Sequence, residues 1–362
     1  MALEFKSVTF KRGGETHIYN TDLALEPGGF NTLLGTTLSG KTTLMQLMAG
    51  ILKPTTGEIW FDGRNVTGVS VQKRNVSMVY QQFINYPNMT VFENIASPLW
   101  VAGVARREVE ERVGRFADLL KLTPMLKRKP SELSGGQQQR TAMARALVKD
   151  ADLVLLDEPL ANLDFKLREE LRDELPKLFA DRNCTVVYAT TEPTEALLLG
   201  GHTAALHEGR VIAFGPTGNL YRRPTNLKAA EVFSEPPINA IRADKSGDRF
   251  TIDETAGWNA GEGDLAALPD GTYYLGVRPH HLTPAKDGDN GPAVALQGRI
   301  IITEISGSES VIHFAHEGQT LISQAHGVHA FDIGDMASFA FDPAKCLIFD
   351  EAGARISAKG VA

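Results

Sequence analysis

The residues best suited to chemistry form a short glycine-rich segment, GTTLSGKTT, at residues 35–43. The segment follows an apolar run and precedes a helical one, and it fits the pattern G-x-x-x-x-G-K-[ST]. In that setting, N–H groups of the loop and of the helix start bind phosphates. Lys41 would neutralise charge on the β- and γ-phosphates, and Thr42 would bind Mg²⁺. The predicted phosphate-binding residues are Gly35, Thr36, Thr37, Leu38, Ser39, Gly40, Lys41, Thr42 and Thr43.

Two adjacent carboxylates, Asp157 and Glu158, end a second apolar run that reads LVLLDEP. Downstream of a phosphate loop, an aspartate in this position can hold the hydration shell of Mg²⁺, and a glutamate can polarise the water that attacks the γ-phosphate. The alternative explanation is structural, because two acids often mark an exposed strand exit. The phosphate loop upstream favours the catalytic interpretation, so we predict a metal role for Asp157 and a catalytic role for Glu158.

A third feature, LSGGQQQR, covers residues 133–140. Ser134 can cap a helix there, and the two following glycines leave the helix start open, which is a geometry that favours an anion. Together with the phosphate loop, the acidic pair, and the segments VYQQFINYP and NLD, it resembles the signature of ATP-binding cassette (ABC) ATPases. The later segment LGVRPHHL resembles the regulatory β-domain of carbohydrate importers of the maltose type. The stretch VQKRNVSMVYQQFINYPNMTVFENIASPL is most similar to the paired ATPases of bacterial glycerol uptake systems.

The resemblance implies ATP and Mg²⁺ as cofactors and gives roles to further residues. Gln81 would touch Mg²⁺ or the attacking water and link the nucleotide site to a membrane partner. Asp164, in NLD, would join two nucleotide sites across a dimer. A signature loop would meet the γ-phosphate bound to the opposite subunit, and its members are Ser134, Gly135, Gly136 and Gln137.

The chain also departs from the family pattern at three positions. Thr191 stands where the family usually has a histidine that holds the γ-phosphate and the attacking water. It can still donate a hydrogen bond and remains a candidate catalytic residue, but it is shorter than histidine and cannot carry positive charge at neutral pH. We therefore expect the site built on this chain's own phosphate loop to be slow. Leu38 stands where a small residue is usual, so we expect the local backbone path to differ from that of the family. Arg12 replaces the aromatic residue that stacks on adenine; its guanidinium can also stack, with Tyr19 or Phe10 as alternatives.

These departures leave two readings of the partner subunit open. In one, the partner is a related ATPase that has the histidine at its own nucleotide site, and the signature loop of this chain completes that site. In the other, the chain forms a homodimer with two weakened but working sites. We favour the mixed pair. The resemblance further implies two transmembrane permease subunits and, indirectly, a periplasmic solute-binding protein.

The predicted function is ATP hydrolysis that powers import of a small carbohydrate or polyol, with glycerol as the best guess. The alternative is a weakly hydrolysing regulatory subunit paired with a catalytic paralogue.

The order of apolar runs predicts an α/β fold. Strand-like and helical segments alternate up to about residue 235, which indicates a P-loop cassette with a mostly parallel sheet and a helical subdomain at about 86–150. Short runs separated by Gly, Asp and Pro follow over 236–362, and they predict a small, OB-like regulatory β-barrel.

The bulk composition excludes several classes of function. The chain has 362 residues with 37 basic and 44 acidic side chains, so no overall positive field attracts nucleic acid. Two cysteines, Cys184 and Cys346, are too few for a disulfide framework. We found no signal-peptide pattern and no apolar run long enough to span a bilayer. We therefore expect a peripheral protein at the cytoplasmic face of the inner membrane.

Overall fold

The computed structural model describes residues 2–161, 163–180, 182, 184–261, 265–285 and 294–356. By their internal contacts, Met1–Leu220 and Tyr221–Ala362 form two compact units. None of the helices in these described ranges is both long and apolar enough to cross a membrane.

The first unit is built from two sheets and the helices around them. Its strands are β1 (Leu3–Arg12), β2 (Glu15–Ala24), β3 (Phe30–Leu34), β4 (Thr56–Phe61), β5 (Arg64–Asn65), β6 (Val76–Val79), β7 (Leu153–Asp157), β8 (Thr185–Thr190), β9 (His202–His207) and β10 (Arg210–Pro216). Its helices are α1 (Lys41–Ala49), α2 (Val91–Val101), α3 (Arg106–Leu119), α4 (Gly135–Leu147), α5 (Phe165–Ala180), α6 (Pro193–Leu199) and the first residues of α7 (Thr217–Arg222).

The larger sheet has the order β10-β9-β3-β8-β7-β6, and its neighbours pair in parallel except for the antiparallel pair β9 and β10. The smaller sheet has the order β2-β1-β4-β5 and is antiparallel. β8 lies between β3 and β7 and runs parallel to both. The loops that follow these three strands therefore leave the same edge of the sheet.

Both faces of the parallel sheet are buried, as the continuous apolar runs predict. In β7, Leu153 and Leu155 pack into the core that includes α1, whereas Val154 and Leu156 pack into the core that includes α2 to α5. Burying each of these side chains stabilises the fold by roughly 1.5–3 kcal/mol. The sheet therefore holds its strand ends rigidly.

Helices α2, α3 and α4 lie in the chain between β6 and β7 and share one hydrophobic core. The N-terminus of α2 is fixed by a capping box. The Thr90 hydroxyl accepts a hydrogen bond from the backbone N–H of Glu93, and the Glu93 carboxylate accepts one from the N–H of Thr90. Such a cap contributes about 1 kcal/mol to a helix.

The second unit is mostly antiparallel sheet. After the rest of α7 and α8 (Leu227–Val232), its strands are β11 (Asn239–Ser246), β12 (Arg249–Thr251), β13 (Gly257–Asn259), β14 (Gly271–Val277), β15 (Thr283–Pro284), β16 (Val294–Ile305), β17 (Glu309–His316), β18 (Gln319–His326), β19 (Met336–Phe341) and β20 (Leu347–Phe349). They form sheets of order β13-β12-β11-β14-β20 and β15-β19-β16-β17-β18.

The two sheets of this unit share one core, to which β11 contributes Ile241 and β16 contributes Leu296. Phe314 and Phe339 stack with their ring centroids 4.0 Å apart, across the strand that carries Gly298. A Cβ atom on Gly298 would lie 2.2 Å from the Phe314 ring, so only glycine leaves room for the stack. The predicted fold class, an α/β cassette followed by a small β-domain, is confirmed.

Candidate nucleotide-binding site

Three polar loops meet at the carboxyl edge of the parallel sheet, the edge where α/β proteins usually bind ligands. The glycine-rich loop follows β3, Glu158 follows β7, and Thr191 follows β8. Backbone hydrogen bonds join them: the N–H of Gly35 donates to the carbonyl of Thr190 at 3.4 Å, and the N–H of Glu158 donates to the carbonyl of Ala189 at 3.0 Å. The end of β8 therefore connects the loop to the acidic pair.

Two glycines allow the glycine-rich loop to pack closely against its surroundings. A Cβ atom on Gly35 would lie 2.6 Å from the carbonyl oxygen of Leu206 and 2.6 Å from the Ser39 hydroxyl. Gly40 has φ 104°, which favours glycine, and a Cβ atom there would lie 2.9 Å from Ile18. The loop path thus depends on both glycines.

Lys41 is buried beneath the loop. Its Nζ donates to the carbonyls of Gly35 and Thr36, at 2.8 and 3.1 Å, and lies 3.5 Å from Oε1 of Glu158. Burial lowers the pKa of the Lys41 ammonium, and the neighbouring Glu158 carboxylate opposes that effect. The positive charge is therefore held at the bottom of the loop, where a bound phosphate would need it.

Thr42 and Asp157 are in direct contact. The Thr42 hydroxyl donates to Oδ2 of Asp157 at 2.8 Å, whereas Oδ1 of Asp157 is buried without a hydrogen-bond partner. Burial raises the pKa of Asp157, although the hydrogen bond from Thr42 acts in the opposite direction. An unpartnered carboxylate oxygen beside a hydroxyl suits Mg²⁺, which proteins usually bind through one or two carboxylates together with substrate phosphates. These two residues therefore fit the predicted metal.

Glu158 and Gln81 are also brought together. Nε2 of Gln81 donates to Oε2 of Glu158 at 2.9 Å. Glu158 has φ 46°, a left-handed conformation that is unfavourable for a residue with a side chain. Strain of this kind costs roughly 1–3 kcal/mol and is concentrated at functional sites. The carboxylate is thus held between the lysine of the loop and the amide of Gln81.

Lys41, Thr42, Gln81 and Glu158 line one cleft of about 500 Å³, and buried Asp157 is attached to it through its hydrogen bond with Thr42. Its lining residues are Thr16, His17, Tyr19, Thr37, Leu38, Gly40, Lys41, Thr42, Thr43, Gln81, Glu158, Glu208 and Gly209. The structure therefore brings Gln81 and Glu158 to most of the predicted loop. Residues of β2 and of the turn between β9 and β10 also line the cleft, and they belong to no sequence motif.

The predicted signature loop forms the start of α4. Ser134 is the N-cap, its backbone N–H donates to Oε1 of Gln137 at 2.9 Å, and its hydroxyl accepts from the N–H of Gln137 at 3.4 Å. Gly135 is exposed, and a Cβ atom there would meet nothing within 4 Å. The N-terminal end of α4 is therefore accessible at Gly135, and the described residues that line the cleft around Lys41 include none of the four signature residues.

Comparison with known proteins decides the family. Models of the ABC transporter family and of the TOBE domain match residues 18–161 and 275–349. The sn-glycerol-3-phosphate import ATP-binding protein UgpC of Pectobacterium atrosepticum is 35% identical over 342 residues, which are 92% of each chain. The xylose/arabinose import ATP-binding protein XacJ of Haloferax volcanii is 33% identical over 358 residues, covering 96% of this chain and 93% of that one.

This chain belongs to the ABC transporter ATPases. Within them it belongs to the carbohydrate importer group. Among solved structures, the ATP-binding cassette MJ0796, a dimer bound to ADP and Pi, has 30% identity and a TM-score of 0.55. That match covers 59% of this chain and 98% of the other.

In this ABC ATPase, the turn around Thr191 is held by buried groups that sequence reasoning missed. Oε2 of Glu195 accepts hydrogen bonds from the hydroxyls of Thr190, at 2.7 Å, and Tyr188, at 2.9 Å. The Thr190 hydroxyl in turn accepts from the N–H of Glu192 at 3.0 Å. Burial raises the pKa of Glu195. Thr191 itself is exposed at the end of β8.

Other hydrogen bonds attach the ABC signature helix to the rest of the site. Nε2 of Gln139 donates to the carbonyl of Pro159 at 2.8 Å, directly after Glu158. Nδ2 of Asn85 donates to the carbonyl of Gln138 at 2.8 Å. Farther along, Oδ1 of Asp164 caps α5 by accepting from the N–H of Leu167 at 3.0 Å. No local pattern marks the contacts of Gln139 and Asn85, because each joins segments far apart in the chain. The Asp164 cap is local.

The candidates for stacking on the nucleobase lie in different places. Arg12 is exposed at the end of β1 and is not among the described residues that line the cleft. Phe10 is packed in the core and only 9% exposed. Tyr19 lines the cleft and is 37% exposed. Of the three, only Tyr19 combines a place in the cleft with an accessible ring.

Leu38 lies in the cleft with an unusual backbone. Its φ is 68°, and its side chain is 96% exposed, so no burial compensates the strain. A left-handed conformation costs a residue with a Cβ atom roughly 1–2 kcal/mol. The departure from a small residue at this position is therefore unfavourable for the loop.

We expect Leu38→Gly to raise the free energy of unfolding by about 0.5–1 kcal/mol, because relief of strain exceeds the added chain entropy of glycine. The measurement is the midpoint of urea unfolding. Leu38→Ala keeps a Cβ atom and serves as the control, with no gain expected. An equal gain from both variants would contradict strain as the cause.

Proposed function

We propose that this chain is the ATP-hydrolysing subunit of an importer for a small carbohydrate or polyol. The observation that carries the proposal is one set of contacts. Lys41, Thr42, Gln81 and Glu158 line the same cleft, and buried Asp157 accepts a hydrogen bond from Thr42. The two import ATPases named above, which are similar over almost the whole chain, support it.

The chemistry follows from the position of each group. Lys41 would leave the loop carbonyls and Glu158 to bind the phosphates, since its ammonium is the buried positive charge beneath the loop. Glu158 would then be free to accept a proton from the attacking water, and Gln81 would hold its carboxylate in place. Mg²⁺, bound at Thr42 and Asp157, would neutralise charge that develops on the phosphates.

The signature tip would complete the site from a second subunit. The N–H groups of Gly135 and Gly136 and the partial positive charge of the α4 N-terminus suit a γ-phosphate. The openness of the tip at Gly135 supports an approach from outside this chain. Two ATP molecules would then lie between two ATPase subunits, with Ser134, Gly135, Gly136 and Gln137 facing the partner's phosphate loop.

A second surface suits the membrane partner. Ile84 is 65% exposed and Tyr86 is 49% exposed, directly after Gln81 in the chain. Their loop is held by Asn94, which bonds both the N–H and the carbonyl of Tyr86, and by Arg145, which donates to the carbonyl of Ile84. These side chains lie on a fixed loop next to Gln81. If two transmembrane permease subunits bound them, the conformation of the permeases would depend on whether ATP is bound.

The solute is proposed to be glycerol, because the segment around Gln81 resembles the corresponding segment of the ATPases of glycerol uptake systems. The chain would act as a peripheral subunit on the cytoplasmic face of the inner membrane, and a periplasmic solute-binding protein would reach it only through the permeases. A weakly hydrolysing regulatory subunit is the second candidate, since Thr191 replaces the family's histidine.

Turnover tests the proposal. In the chain purified with its membrane partners, Glu158→Gln should lower the rate of phosphate release about 100-fold, because proton acceptance by a positioned base typically contributes that much or more. Thr191→His should raise the rate, because an imidazole reaches farther and can carry charge. Phosphate release is measured at saturating Mg·ATP.

Two variants serve as controls. Glu111→Gln removes an exposed carboxylate of α3, and Thr191→Ser keeps the hydroxyl; neither should change the rate by more than about twofold. Unchanged turnover in Glu158→Gln would overturn the enzyme assignment. A lack of gain in Thr191→His would contradict Thr191 as the cause of slow hydrolysis.

Purification from native membranes distinguishes a mixed pair from a homodimer. A second, distinct ATPase and two membrane proteins are expected to co-purify with a tagged copy of this chain, since a related subunit would have the histidine at its own nucleotide site. Mass spectrometry identifies the proteins that are recovered. Recovery of two membrane proteins with this ATPase alone would contradict the mixed pair.

A further inference from the structure

We propose that Tyr19, supported by Arg210, is the platform on which the nucleobase of ATP stacks in this protein. The inference rests on the proposed function, since it assumes that the triphosphate lies over Lys41. It moves the stacking role from Arg12, at the end of β1, to Tyr19 of β2 and adds Arg210 as its support.

The first argument is position. Tyr19 and Lys41 line the same cleft, together with His17 of β2 and with Glu208 and Gly209 of the turn between β9 and β10. A nucleotide with its phosphates at Lys41 would place its base against another part of this lining. Tyr19 is 37% exposed and offers an aromatic side chain there.

The second argument is rigidity. The Arg210 guanidinium lies 3.8 Å from the Tyr19 ring centroid, close enough for a cation–π contact. Tyr19 lines the cleft and Arg210 is not among the described lining residues, so the contact with Arg210 leaves part of Tyr19 accessible from the cleft. A ring fixed in this way loses little conformational freedom when a base stacks on it.

The third argument is the link to the phosphate loop. The N–H of Tyr19 donates to the carbonyl of Gly209 at 3.0 Å, and the N–H of Gly209 donates to the carbonyl of Ser39 at 3.0 Å. A Cβ atom on Gly209 would lie 2.3 Å from the carbonyl of His17, so the turn packs tightly on β2. The distance from the ring to the loop is therefore set by the backbone.

The competing residues are less suited to the role. Arg12 lies outside the cleft lining, and Phe10 is packed in the core with its ring 6.2 Å from that of His17. His17 lines the cleft and is the remaining candidate with a flat ring. It therefore serves as the matched comparison in the test.

The experiment measures the affinity of the full-length chain for Mg·ATP and for inorganic tripolyphosphate by calorimetry. Tyr19→Ala should weaken ATP binding roughly tenfold, the typical effect of removing a stacked aromatic side chain, and leave tripolyphosphate binding unchanged. Tyr19→Phe, which keeps the ring, should bind ATP like the parent chain. Arg12→Ala and His17→Ala should change ATP affinity less than twofold.

The inference would be overturned by a tenfold loss of ATP affinity in Arg12→Ala or His17→Ala with none in Tyr19→Ala. It would equally be overturned if Tyr19→Ala weakened tripolyphosphate as much as ATP, since the effect would then act through the loop. Failure of the parent chain to bind tripolyphosphate and ATP would instead contradict the proposed function.

Discussion

The site depends on one constraint, the strand order β3-β8-β7 in the parallel sheet. This order places the start of α1 beside the end of β7, so that Thr42 can donate a hydrogen bond to Asp157 at 2.8 Å. It also places Glu158 within 3.5 Å of the Lys41 ammonium. Because both sheet faces are packed, these groups cannot drift apart without disturbing two hydrophobic cores.

The three departures from the family pattern lie outside the contact set of Lys41, Thr42, Asp157 and Glu158. Leu38 strains the outer part of the loop, Thr191 shortens the side chain after β8, and Arg12 lies outside the cleft lining. Lys41 and Glu158 remain next to each other, and Glu158 remains hydrogen-bonded to Gln81. Under the proposed function, the chain would therefore still bind and hydrolyse ATP and would differ from its relatives in turnover and in base contact.

Local chemistry made much of the fold and site predictable from the sequence. The loop at 35–43 needs particular glycines and a lysine at fixed spacing, and the apolar run before Asp157 predicts a buried strand. Both features can be recognised from a few consecutive residues. Contacts such as Glu195 with Tyr188, Gln139 with Pro159, and Tyr19 with Arg210 could not be predicted in this way. Gln139 with Pro159 and Tyr19 with Arg210 join segments far apart in the chain. Glu195 contacts Tyr188 through the turn between β8 and α6. Periodicity and spacing encode none of these three contacts.

The central claim is that Thr42 and Asp157, brought together by strand order, hold the metal that accompanies the triphosphate. Its most direct test is the ATP affinity of the full-length chain with and without Mg²⁺, in the parent and in Asp157→Asn, with Thr42→Ser as the control that keeps the hydroxyl. The account predicts that Mg²⁺ strengthens ATP binding in the parent and in Thr42→Ser, and that Asp157→Asn loses most of this gain. A gain from Mg²⁺ of the same size in Asp157→Asn would contradict it.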